Sequence, residues 1–303
     1  MKVAALDLGS NTFLCLICDV SQGKIAKIYS DEVQVVRLGQ GLSSSKKFHP
    51  DALARAKKTL SEFAQSIQKH KPDQVLAMAT SAARDAENKE ELFKICEDLN
   101  IPLEIISGEQ EAQITYSGSV SGMKSSDAKT LVVDIGGGST EFIVGLGPKL
   151  ISGHSQNIGC VRLTEKFIPT QPTDLKDIEA CKIEILKVIQ QSKQKLNSDI
   201  HQILAVAGTP TALVTAELGG FDPAKIDGYQ LTKNRLEEWL SKLSQASIEE
   251  KQNMGIPVGR ADVILVGVLI LLATLEVFCK DEIIVSTRGV RYGVAIYMES
   301  KIS

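Results

Sequence analysis

The sequence predicts an α/β fold of two duplicated domains, each a mixed sheet flanked by helices, around a central cleft. Two observations carry that prediction. The first is a repeated plan. Leu131 to Val144 reads as two apolar, strand-like runs on either side of Gly136-Gly137-Gly138-Ser139, with Asp134 closing the first run and Glu141 opening the second. Lys2 to Ile17 follows the same plan, with Asp7 ahead of a Gly9-Ser10-Asn11 turn, and its turn reads as a couple of residues shorter. The second observation is the order of elements, which starts again after about residue 129. Internal repeats and alternation of strands with helices together argue for duplicated α/β layers.

The first half opens with strands predicted over Val3 to Leu8, Phe13 to Val20 and Lys24 to Arg37. Leu53, Ala56, Leu60, Phe63, Ala64 and Ile67 fall on one face of a helix over Pro50 to His70, with Pro50 suited to its first turn. A buried strand over Val75 to Ala79, a helix over Asn88 to Leu99, a strand over Leu103 to Ile106 and a helix over Glu109 to Val120 follow. The Ser- and Gly-rich stretch Gly118 to Lys129 holds the predicted boundary, giving domains 1–123 and 124–303, with segment 290–303 a candidate to pack back on the first. The second half repeats the order. Strands are expected over Leu131 to Asp134, Glu141 to Leu146, Lys149 to Asn157, Leu204 to Ala207 and Ile283 to Val285. Helices are expected over Val161 to Phe167, Asp174 to Leu196, Gly208 to Leu218, Lys233 to Leu243, Arg260 to Cys279 and Val290 to Ser300.

Composition narrows the class. The 303 residues are 43% hydrophobic and 23% charged, ordinary values for a globular protein with ample core. A net charge of -3 excludes a strongly basic nucleic-acid binder, although a local basic groove for a polyanion remains open. Met1-Lys2 enters a strand with no signal-peptide layout, which predicts a cytoplasmic protein with reduced thiols. The apolar run Val263 to Leu275 is shorter than the roughly 20 residues that span a bilayer, so a buried helix and no membrane contact are expected. Cys15 and Cys18 form a C-x-x-C, but residues three apart on a strand point to opposite faces, so two core residues are expected in place of a zinc or redox pair. The four histidines show no metal-ligand spacing.

The chemistry is expected where strands end and helices begin, the edge at which open α/β sheets bind ligands. Three adjacent glycines cost backbone entropy and suit a sharp bend close to a ligand, where successive N–H groups cradle phosphate oxygens. Asp134 and Glu141 beside such a turn would repel phosphate unless a hard cation such as Mg²⁺ lies between; a plain Gly-rich hairpin with surface acids is the alternative. Arg84, after the strand at Val75 to Ala79, is either a planar fork for phosphate or a surface ion pair with Asp85 or Glu87. Gly208-Thr209 opens a helix whose N-terminus is either an anion site or simply capped. Ser107 is a fair N-cap, and acids in a first helical turn favour the dipole, which accounts for Glu109 and Glu111; the functional alternative makes one of them a general base for water. Glu111 lies deeper in the helix and needs the cap explanation less.

Taken together, Asp7-Leu8-Gly9-Ser10-Asn11, Ala79-Thr80-Ser81-Ala82-Ala83-Arg84-Asp85-Ala86, Ile106-Ser107-Gly108-Glu109-Gln110-Glu111-Ala112 and Asp134-Ile135-Gly136-Gly137-Gly138-Ser139-Thr140-Glu141 resemble the exopolyphosphatase / guanosine pentaphosphate phosphohydrolase family. Gly208-Thr209-Pro210-Thr211, Arg260-Ala261-Asp262 and Ser286-Thr287-Arg288-Gly289-Val290-Arg291 continue the likeness through essentially the whole chain. The resemblance implies an actin-like (ribonuclease H-like) fold, a homodimer, and Mg²⁺-dependent release, with Mn²⁺ as a substitute, of terminal phosphate from inorganic polyphosphate or of the 5′ γ-phosphate from guanosine pentaphosphate. It implies Glu111 as the water-activating base and Asp134 and Glu141 as metal acids, with Asp7 a further candidate. Ser10, Asn11, Arg84, Gly136, Gly137, Gly138, Ser139, Gly208 and Thr209 would bind phosphate. Two departures stand out: Gln110 replaces a glutamate frequent in relatives, and the helical C-terminal region of longer relatives has no room after Arg291. The second leads to an expected preference for short polyphosphate and distributive cleavage. A kinase, a nucleotide sensor or a filament-forming ATPase on the same fold are the rival readings.

Overall fold

The computed structural model describes residues 1–123 and 128–301. The boundary expected between 123 and 124 adjoins residues 124–127, which lie outside the described residues, as do 302 and 303 of the segment 290–303. The chain folds as two compact units, Met1–Gly122 with Gly289–Ser303, and Met123–Arg288.

The first unit opens with β1 (Lys2–Leu8), β2 (Thr12–Ser21) and β3 (Lys24–Val35), followed by α1 (Leu42–Ser45) and α2 (Pro50–His70). Then come β4 (Gln74–Ala79), α3 (Ser81–Asp85), α4 (Glu90–Asp98), β5 (Leu103–Ile105) and α5 (Gly108–Val120). The sheet order is β3-β2-β1-β4-β5, with β1, β2 and β3 antiparallel and β1, β4 and β5 parallel. Alternation along the strands builds a core on each face. Ala4, Leu6, Leu8, Phe13, Cys15 and Ile17 pack with Leu53, Leu60 and Phe63 of α2, whereas Val3, Ala5, Leu16, Cys18 and Val20 pack on the other face with Ile114 of α5. Cys15 and Cys18 therefore enter opposite cores, as a strand requires.

The second unit repeats the plan with β6 (Lys129–Ile135), β7 (Thr140–Leu146), β8 (Lys149–Gln156), α6 (Cys160–Phe167), α7 (Leu175–Leu196), β9 (Gln202–Val206) and α8 (Gly208–Leu218). It continues through α9 (Pro223–Ile226), β10 (Gln230–Thr232), α10 (Lys233–Gln245), α11 (Ile248–Asn253), α12 (Ile264–Phe278) and β11 (Glu282–Val285). Its sheet runs β10-β11-β9-β6-β7-β8, the first unit's order with β10 added at one edge. The last helix, α13 (Val290–Ser300), returns to the first unit, where Val290, Val294, Ala295 and Met298 complete the core beside α5 and β1. The apolar run read as a buried helix is α12, packed against α7 and α10 and buried on nearly every side. No helix among the described residues is long and apolar enough to cross a membrane.

Two expectations need correction. The glycine turns are equal in length, not longer in the second copy. Leu8 pairs with Phe13 and Ile135 with Thr140, and the turns close alike, from Gly9 N to Thr12 O (3.1 Å) and from Gly136 N to Ser139 O (2.9 Å). Thr140 and Glu141 occupy the ladder positions of Phe13 and Leu14, so polar residues inside β7 hide where the strand begins. The helix expected from Arg260 starts only at Ile264. Residues 258–263 form turns, in which Arg260 N and Ala261 N both donate to Pro257 O.

Candidate active site

In the second unit, Asp134 on β6 and Glu141 on β7 are direct cross-strand partners, and Ser155 on β8 is the next residue in the same row. Directly opposed residues share a face of the sheet. Both acids are almost wholly buried, at 7% and 1% exposure, and Ser155 Oγ donates to Glu141 Oε1 at 2.6 Å. Two opposed, buried carboxylates are costly unless positive charge offsets them, and the Arg260 guanidinium acts on Asp134.

The turn after β6 is locked from behind by the start of α6. Cys160 N donates to Gly136 O (3.0 Å), and Val161 N and Arg162 N both donate to Gly137 O (2.9 and 3.0 Å). Arg162 Nε donates to Gly138 O at 2.8 Å. The carbonyls of all three glycines are thereby occupied, and the first-turn donors of α6, which would otherwise form an anion site, are spent on them. A Cβ on Gly159 would stand 2.5 Å from Gly137 O, so this approach requires glycine there. Ser139 is buried within the same turn.

Gly208 opens α8 at the end of β9, the strand parallel to β6 with Val206 opposite Asp134. The Arg260 guanidinium lies against its backbone: a Cβ on Gly208 would stand 1.9 Å from Arg260 Cζ. Burial lowers the Arg260 pKa, while Cys160, Asp134 and Asp262 hold its charge in place. Ala207, just before Gly208, sits at φ 70° and ψ -162°, a region that is essentially glycine-only. The Thr209 side chain packs against Gly267 of α12. Behind the turn carrying Arg260, the Lys251 ammonium donates to Gln171 Oε1, and Gln171 Nε2 donates to Asp262 O at 2.6 Å.

In the first unit, Ser10 O accepts from Gly39 N (2.8 Å) and Asn11 O from Val36 N and Arg37 N (2.9 Å each). The Ser10 and Ser81 hydroxyls lie 2.9 Å apart, tying the turn to α3. Asp7, at the place Asp134 holds in the other unit, faces Leu14 across the ladder, so no second carboxylate is opposed to it. Its charge instead acts on Arg291 of α13, which Asp31 grips through Nε–Oδ1 (2.7 Å) and Nη2–Oδ2 (2.9 Å).

Arg84 and Glu111 meet. Arg84 Nη1 donates to Glu111 Oε2 at 2.7 Å and to Ile106 O at 2.9 Å. The surface pair with Asp85 or Glu87 is replaced by this buried one. Burial drives the Glu111 pKa above the usual carboxylate range, and Arg84 offsets part of that rise. Glu109 is exposed, and Gln110 completes the capping box of α5 with Ser107. Gln110 thus does for the helix end what a glutamate would, and Glu111 is left to face inward.

The donor set fits a divalent ion. Mg²⁺ is held by one or two carboxylates and completes its octahedron with water and phosphate oxygens. Asp134 and Glu141 supply such a pair of buried oxygen donors. No group of three or more His, Cys, Asp or Glu side chains among the described residues forms a closed metal cage.

Two units of one strand order, each with an aspartate ahead of a short turn, make this an actin-like α/β protein. The chain belongs to the Ppx/GppA phosphatase family, whose pattern matches residues 16–302, and is therefore an enzyme of phosphate hydrolysis. It is 29% identical to Exopolyphosphatase 2 of Mycobacterium tuberculosis over 97% of this chain and 98% of that one. Among solved structures it is similar to the Ppx/GppA family member of Aquifex aeolicus, at 30% identity and a TM-score of 0.83 over 100% of this chain and 99% of that one. An exopolyphosphatase from Cytophaga hutchinsonii aligns at 26% identity and a TM-score of 0.90, over 100% of this chain and 99% of that one.

Sequence reasoning missed Ser155, Ser81, Ala207 and the packing of Arg260 on Gly208. Ser155 could have been found by counting back along β8 once the register of β7 was known. The others lie on turns or at the first residues of helices, which carry no periodic signal.

Proposed function

We propose that the protein is a Mg²⁺-dependent exopolyphosphatase that releases terminal orthophosphate from inorganic polyphosphate, with Mn²⁺ able to substitute. The observation that carries this reading is the buried Glu111 carboxylate paired with Arg84. A raised pKa makes a carboxylate a stronger base, and a fixed partner holds it in one orientation, as general-base activation of water requires. Glu111 takes the proton of the attacking water, and Arg84 positions both that carboxylate and a phosphate oxygen. The backbone of Gly136, Gly137, Gly138 and Ser139, that of Ser10 and Asn11, and the start of α8 at Gly208 and Thr209 cradle the phosphate oxygens. Asp134 and Glu141 would hold Mg²⁺, with Ser155 orienting Glu141 and Asp7 orienting water. Bound there, the ion supplies charge neutralisation on the phosphate oxygens. Little covalent work falls to the protein in phosphoryl transfer, so positioning and electrostatics carry the rate.

We further propose a preference for short chains. Affinity is expected to level off once the few phosphates that the turns and Arg84 address are gripped. Buried free cysteines suit a reducing cytoplasm, and a homodimer is the assembly that the resemblance implies. The test is phosphate release from polyphosphate of graded length and from guanosine pentaphosphate, with Mg²⁺ and with excess chelator. Release from polyphosphate that stops in chelator is the expected result. Turnover of guanosine pentaphosphate alone, or full activity in chelator, overturns the proposal.

A further inference from the structure

We propose that Arg288 grips an inner phosphate of the substrate and so sets the chain length at which affinity levels off; this rests on the polyphosphate reading above. The parallel strands β6, β9 and β11 of the second unit all end at one edge of the sheet. The glycine turn follows β6, Ala207-Gly208 follows β9, and Ser286-Thr287-Arg288 follows β11. Adjacent strands are about 4.8 Å apart, so the Arg288 junction stands roughly 10 Å along the edge from the turn. Ligands of open α/β sheets lie across the carboxyl ends of their strands. A polyphosphate whose terminal group sits at the turn and which runs along this edge reaches Arg288 with an inner phosphate.

The junction is built, not loose. Asp227 Oδ1 accepts from Ser286 Oγ and from Thr287 N, each at 3.0 Å, and Arg288 N donates to Ser286 Oγ at 3.2 Å. The same Asp227 stands 4.0 Å from Arg288 Nε through Oδ2, the far limit of an ion pair, and so orients the guanidinium. The Arg288 side chain is 29% exposed. A planar fork with several donors suits phosphate better than a point charge. β11 is the last parallel strand of this sheet, with antiparallel β10 outside it, so Arg288 stands at the outer end of the row of junctions.

The test measures KM and kcat for pyrophosphate, tripolyphosphate and medium-length polyphosphate with the unaltered enzyme, Arg288→Ala and Arg288→Lys. A charged hydrogen bond lost from an inner phosphate raises KM roughly 10-fold or more. The ratio of variant to unaltered KM should grow from pyrophosphate to medium-length chains, with kcat within about twofold. Arg288→Lys should recover part of the loss, and the salt dependence of KM should become shallower in Arg288→Ala. The same KM ratio at every length, or none at any, overturns the proposal. Calorimetric binding of medium-length polyphosphate to Glu111→Gln, with and without Arg288→Ala, separates the two readings. Weaker binding on adding Arg288→Ala, in a protein that never releases phosphate, keeps the subsite and sinks the hydrolase. Unchanged binding in an active hydrolase sinks the subsite alone. Thermal melts of both Arg288 variants establish that they fold.

Discussion

Arg84 and Glu111, 27 residues apart in sequence, share a 2.7 Å ion pair in which the carboxylate is nearly inaccessible and the guanidinium partly open. The pair resolves a conflict, because a base must be buried to be strong and paired to remain ionisable. Glu111→Gln keeps the size and the acceptor for Arg84 but removes the base. General-base catalysis contributes about 10²–10⁴-fold, so kcat should fall by that order while substrate still binds. Turnover equal to the unaltered enzyme would remove Glu111 from the mechanism.

The same residue gives a pH prediction. Its folded pKa is raised above the unfolded value of about 4.3, so the folded state holds the proton more tightly and stability falls as pH climbs through that window. Activity runs the other way and rises as the base ionises. Glu111→Gln should therefore melt at or above the temperature of the unaltered protein near pH 7, with the difference shrinking toward acid pH. Melting curves across pH check this; a variant that is less stable at neutral pH and equal in acid contradicts it.

Ser155 donates to Glu141, so it orients a proposed metal acid without being one. Loss of such a partner typically costs 10–100-fold in metal affinity. Ser155→Ala should need about that much more Mg²⁺ for half-maximal phosphate release and regain activity at high Mg²⁺. A Mg²⁺ titration identical to that of the unaltered enzyme would show that the hydroxyl is only filling space.

Ala207 holds a backbone conformation that costs about 1–3 kcal/mol for a residue with a Cβ. Glycine relieves that strain but loses about 0.5–1 kcal/mol to unfolded-state entropy. Ala207→Gly should thus be neutral to about 2 kcal/mol more stable in denaturant unfolding. Destabilisation beyond 1 kcal/mol would mean that the Ala207 methyl group makes contacts worth more than the strain.

Lys251 is inaccessible, and burial pulls its pKa down to about 8 from 10.5. Between those values the unfolded chain binds the extra proton, so stability should rise with pH from about 8 to about 10.5. Lys251→Met removes the titrating group and should flatten that rise in melts over the same range. An unchanged slope would assign the rise to other groups.

What the sequence by itself determined is local and periodic. The alternation in β1 and β2 told that Cys15 and Cys18 face different cores. The length of the apolar run told that α12 is buried. The recurrence of aspartate ahead of a glycine turn told that the chain is duplicated. The first follows from the strand's two-residue repeat, the second from the length of an apolar run and the third from a recurring motif, and none needs a partner. Tertiary structure decided the rest. Equal turn lengths are a property of ladder hydrogen bonds, which polar Thr140 and Glu141 obscure in the hydropathy pattern. The short helices α3 and α11 and the edge strand β10 are too brief to show a period. The pairing of Arg84 with Glu111, the seating of Arg260 on Gly208 and the clamp of Asp227 on the Arg288 junction join residues on different elements. A side chain's partner is fixed by where folding brings it, and the cost of burying its charge selects the pairings that survive.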